Sequence, residues 1–150
     1  MSAKNQKKIC LLFASGSLLS IKGNQSVFFV DEEKDMKQWL GEIPELGLVA
    51  DIEPIFVCGE NTQFGLDDVE KIAGVLKNRQ ASFDGFVVVT RADRVVSTAV
   101  AIEYMLQGFG KPIIFTGSRH SPKSIAIQDI KKIIKMGGLG LRSNVINAAQ

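Results

Sequence analysis

The chain has 150 residues, 45% of them apolar and 23% charged, with a formal net charge of +2. That length suits one domain with a substantial core, and a charge so near zero excludes an electrostatic case for nucleic acid or a membrane surface as the main partner. The apolar runs are too short for a membrane span or a secretory leader, which sets the expectation of a cytoplasmic protein.

The first informative stretch is Lys8–Ser20, KICLLFASGSLLS. Ile9–Phe13 is a short apolar run of the kind that suits a strand covered on both faces. A second strand is expected at Ser26–Val30, reached through the Gly23-Asn24 turn signal, so that the two would form a hairpin. Asp31–Asp35 is an acidic start to a short helix carrying Met36, Trp39 and Leu40. Val49–Val57 reads as a strand. Leu66–Asn78 reads as a helix, with acids early and Lys77 and Arg79 late, and Gly85–Thr90 as a strand. Val95–Phe109 follows as a helix closed by Gly108 and Gly110, and Lys111–Gly117 as a further strand. Ile125–Met136 has the spacing of an amphipathic helix, Gly137–Gly140 of a loop, and Ser143–Gln150 of the first turns of another helix. Alternating strands and helices predict an α/β fold, a three-layer sandwich around a mostly parallel sheet. Cys10 and Cys58 lie in apolar strands with no second ligand nearby and are expected to be buried free thiols; no metal site and no cofactor is expected.

Three predicted strands finish in small or hydroxyl-bearing residues: Ala14-Ser15-Gly16-Ser17, Thr90-Arg91-Ala92-Asp93 and Thr116-Gly117-Ser118. In open α/β sheets ligands bind at the carboxyl ends of the strands, where the loops diverge. If the three strands are neighbours, their backbone N–H groups, hydroxyls and one carboxylate share a crevice fit for a small polar ligand. The alternative is that Gly and Ser simply make the turns.

The same residues resemble the amino-terminal domain of the L-asparaginase/glutaminase family, whose fold is flavodoxin-like. KICLLFASGSLLS resembles the family's opening strand and T-G-G-T-I turn, and WLGEIPELGLVADIEPIFV the P-E-L segment and strand before its D-S-S-D-M loop. LDDVEKIAGVL resembles the helix after that loop. FDGFVVVTRADRVVSTAVAIEYMLQGFGKPIIFTGSR resembles the Y-D-G-F-V-V-T-H-G-T-D-T block with its helix and the K-P-V-V-x-T-G strand, and LRSNVINAA the S-D-G-x-x-N-L helix start. The resemblance implies a hydrolase that cleaves a side-chain amide through a threonine nucleophile and an acyl-enzyme.

Carried over position by position, much of that machinery is missing. The nucleophile position falls on Ala14, whose methyl group cannot attack. The turn's second threonine falls on Ser17, and the substrate-binding serine of D-S-S-D-M on Asn61. In the T-H-G-T-D block Thr90 and Asp93 match, but the chain is one residue short, the threonine before the aspartate has no counterpart, and Arg91 replaces the histidine. Shifting the first match by one places Ser15 at the nucleophile position, at the expense of the strand's register. For Asp93 two roles are open: holding a substrate's α-amino group, as the resemblance implies, or capping the following helix. Arg91 and Arg94 flank it, either as solvated loop charges, the commoner case, or paired with Asp93 or with a bound carboxylate. His120 reads as a surface-loop residue.

These residues set an expectation of a degenerate or truncated family member. It keeps the fold but is catalytically weak or inactive, a small-ligand-binding or assembly module with Asn61, Thr90 and Asp93 on the ligand side. The alternative is an active amidohydrolase that uses Ser15 or Ser17 and is completed by another chain. The expected ligand is asparagine, aspartate or a similar small polar molecule, and the expected partner a homo-oligomer or a second protein chain. Residues 1–150 are expected to be the amino-terminal type of domain, with the family's carboxyl-terminal domain absent.

Overall fold

A computed structural model describes residues 6–14, 17–20, 27–30, 32–41, 43–57, 65–91, 93–117 and 141–150. The described elements run β1 (Lys8–Ala14), β2 (Ser17–Ser20), β3 (Val27–Val30), α1 (Glu33–Gly41), α2 (Leu46–Val49), β4 (Asp51–Val57), α3 (Leu66–Arg79), β5 (Gly85–Val89), α4 (Val95–Met105), β6 (Ile113–Thr116) and α5 (Leu141–Ala149). Four of the strands form one sheet in the order β4-β1-β5-β6, and every neighbouring pair is parallel.

The apolar run of β1 is continuous because it has a partner strand on each side and a helical layer on each face. Cys10, Leu12 and Ala14 point to one face, where Val69, Ile72 and Leu76 of α3 and Ile102 of α4 meet them. Leu11 and Phe13 point to the other, against Met36 of α1, Leu46 of α2 and Val145 of α5. Each fully buried Leu or Phe contributes about 2 kcal/mol through the area it removes from water. The result is the expected three-layer α/β sandwich.

Four expectations about elements need correction. The hairpin expected between Ser26–Val30 and β1 is not formed by the described strand Val27–Val30. Both edges of β1 are taken by parallel neighbours, so β3 pairs antiparallel with Ser17–Ser20 in a separate two-stranded sheet. The strand expected from Val49 begins at Asp51, because Ala50 N–H donates to Leu46 O at 3.3 Å and closes the short helix α2. The helix expected to reach Phe109 stops at Met105. Gly108 and Gly110, with φ of +74° and +71°, then carry the chain through a backbone region that only glycine enters freely. The strand expected over Lys111–Gly117 is the shorter β6, since Pro112 has no N–H to give a ladder. The segments Ile125–Met136 and Gly137–Gly140 lie outside the described residues, as do Cys58 and His120. The last helix is present as α5, tied to the end of β6 by Asn144 Nδ2 donating to Gly117 O at 3.0 Å.

Candidate functional site

The sheet order makes β1, β5 and β6 consecutive neighbours, so the three strand ends singled out in the sequence lie side by side. Phe13 pairs with Val89, and Val89 with Thr116, which puts Ala14, Thr90 and Gly117 in a row at the carboxyl edge of the sheet. Thr90 is 1% exposed, and its N–H donates to Thr116 O at 2.9 Å, extending the ladder one bond beyond β5. Ala14 is fully buried and packs in the core under α3 and α4. Ser17 opens β2 opposite Val30. Ser15 and Asn61 lie outside the described residues.

Beyond Thr90 the chain turns into α4. Arg94 N–H donates to Arg91 O at 2.9 Å, and Arg94 takes the N-cap position without a side-chain cap. Asp93 therefore does not cap the helix. Its carboxylate is instead gripped side-on by Arg91, with Nε donating to Oδ1 at 3.0 Å and Nη2 to Oδ2 at 2.8 Å. Those hydrogen bonds hold the Asp93 carboxyl below the usual carboxylate range; partial desolvation opposes them, and the charges of Arg91 and Arg94 reinforce them. The pair is on the surface, with side chains 41% and 58% exposed. Sequence reasoning brought Thr90 and Asp93 to this edge and held a pairing of Asp93 with a flanking arginine among its alternatives; the structure makes that arginine Arg91, on both carboxylate oxygens. The spacing of two residues across a turn is the signal that could have singled it out.

Two other features are separate from this edge. A cavity of about 320 Å³ opens between α4 and β6, lined by Ile102, Leu106, Phe109, Ile113 and Phe115 among others. Glu103 and Lys111 stand in its wall beside these apolar residues, and none of Ala14, Thr90 or Asp93 borders it. Cys10 is a free thiol in the core, and burial pushes its pKa up to about 12, with the Glu53 charge adding to the rise, so it stays a neutral thiol and no nucleophile. Among the described residues, no helix is long and apolar enough to cross a membrane.

Comparison with known proteins gives this architecture its relatives. The family model described as "Asparaginase, N-terminal" matches residues 8–134. L-asparaginase 1 of Escherichia coli (strain K12) is 40% identical over 53 residues, which are 35% of this chain and 16% of that protein. The crystal structure of L-asparaginase I from Vibrio cholerae aligns with a TM-score of 0.57 at 23% identity, over 76% of this chain and 34% of that one. The thermostable L-asparaginase from Thermococcus kodakarensis aligns with a TM-score of 0.53 at 19% identity, over 89% of this chain and 42% of that one. At those identities the two structures speak for the fold. The chain spans less than half the length of each of these relatives.

Proposed function

This chain belongs to the asparaginase family through its amino-terminal domain, and we propose that it is a catalytically weak or inactive member that keeps the fold as a small-ligand-binding or assembly module. The observation that carries this reading is Ala14. It ends β1 beside Thr90, at the position where the family resemblance puts the nucleophile, and its buried methyl group has no lone pair to attack a carbonyl. Replacing that methyl by a hydroxyl is not the only change the chemistry needs, since the threonine expected before Asp93 is missing from the loop as well.

The ligand side of the proposal draws on what the edge does retain. Thr90 and Asp93 stand at the end of β5, beside the end of β1, and Ser15, Ser17 and Asn61 are the further candidates for a ligand crevice at this edge. A small carboxylate such as aspartate, or its amide asparagine, matches a site built of backbone N–H groups, hydroxyls and a charged pair. The assembly side draws on α4, which is apolar on nearly every face. Val96, Val100 and Tyr104 recur at a spacing of four and are 73%, 52% and 75% exposed, a stripe that a second copy of the chain would cover.

Ammonia release from L-asparagine and L-glutamine, together with thermal shift in L-aspartate, tests the reading. The expected result is no turnover above background and a rise in melting temperature with aspartate. Turnover that Ser15→Ala or Ser17→Ala abolishes would overturn it in favour of an amidohydrolase working through a serine.

A further inference from the structure

We propose that Arg91 sets the ligand class of the strand-end crevice: its guanidinium occupies Asp93 and offers its remaining donors to a carboxylate, so the crevice takes small carboxylic acids whether or not they carry an amino group. The inference rests on the binding role proposed above and names the group that would be recognised there.

The geometry is that of a fork closed on one side and open on the other. Nε and Nη2 of Arg91 each donate to a different oxygen of Asp93, at 3.0 and 2.8 Å, so a single planar cation engages the whole carboxylate. A guanidinium has five N–H donors in fixed directions, and this arrangement uses only two of them. The Arg91 side chain is 41% exposed, which leaves its outer edge open to solvent and to a ligand. The turn that carries the pair is anchored at both ends. Thr90 N–H is bonded to Thr116 O at 2.9 Å, and Arg94 N–H to Arg91 O at 2.9 Å.

Two ligand groups meet this turn differently. An ammonium must either displace the guanidinium or share Asp93 with it, placing two cations side by side at one carboxylate. A carboxylate meets a cation whose rotamer Asp93 has already fixed, so little further side-chain freedom is lost on binding. The side chain that neutralises Asp93 is thus the same one that presents hydrogen-bond donors to an anion.

Isothermal titration with L-aspartate and with succinate, which differ only by the amino group, tests the inference on the wild-type chain and on Arg91→Ala. Arg91 is on the surface and its ion pair contributes little to stability, so the variant keeps the fold, and its melting curve checks that. Wild type is expected to bind succinate at least as tightly as aspartate. In Arg91→Ala succinate should weaken about tenfold while Asp93 becomes free to take the ammonium, so that aspartate becomes the tighter ligand. A wild-type chain that prefers aspartate by about tenfold or more, or an unchanged ratio in the variant, overturns the inference and leaves the ligand crevice standing. Failure of both acids to bind either protein overturns the crevice itself, and the role of Arg91 with it.

Discussion

Thr98 lies one turn inside α4, is 1% exposed, and its hydroxyl has no hydrogen-bond partner among the described residues. Burying an unpartnered hydroxyl is unfavourable, and replacing it by a methyl of similar shape removes the penalty. Thr98→Val is therefore expected to raise stability by about 1 kcal/mol, or about 2–4 °C in melting temperature. A lower midpoint in urea would show that the hydroxyl serves a purpose in the fold. At this scale the sequence is a partial guide. It indicated Thr90 and Asp93 at one edge and Cys10 in the core, because each follows from the position of its residue along an apolar strand. It could not say which of two roles Asp93 takes. Capping α4 falls to Arg94 instead, and the carboxylate that would hold an α-amino group has both its oxygens on the Arg91 fork.

Among the elements, β5 is the most tightly constrained, with every residue buried. Its first residue shows why glycine is needed there. A Cβ at Gly85 would meet Pro112 Cγ at 3.2 Å and Ile9 Cδ1 at 3.3 Å. The isoleucine tip can turn aside, but Pro112 cannot easily retreat, because its carbonyl accepts Phe86 N–H at 3.0 Å. Gly85→Ala is expected to cost about 1 kcal/mol, the crowding outweighing the entropy gained in the unfolded chain. Urea unfolding with equal or greater stability would contradict this. The helices of the sandwich were legible from the 3.6 period of their apolar residues, and strands such as β1 and β5 from short continuous apolar runs that suit a strand covered on both faces. The hairpin partner was not. SVFFV is a strand by composition in either arrangement, and only the occupied edges of β1 exclude it from the main sheet and leave Ser17–Ser20 as its partner. The one-turn helix Leu46–Val49 is too short to show a period at all.

For the whole molecule the open matter is how α4 is covered. If a second copy covers it in the proposed assembly, Val100→Asp places a charge in the middle of the stripe formed with Val96 and Tyr104. Sedimentation velocity is then expected to show a species larger than a monomer for wild type and a shift to the monomer for Val100→Asp, at unchanged thermal stability. A wild-type chain that sediments as a monomer at tens of micromolar removes the assembly part of the proposal. The sequence by itself determined the fold class and the family. Alternating apolar segments admit few topologies once crossovers must be right-handed, and the Phe83–Arg119 block carries the family's most specific pattern. It also determined that a methyl group stands at Ala14, which no packing can turn into a nucleophile. Only the tertiary structure decided that the ends of β1, β5 and β6 adjoin, and that Asp93 faces a guanidinium, because strand order and side-chain pairing are settled by contacts between residues far apart in the chain or across a turn whose shape the packing fixes.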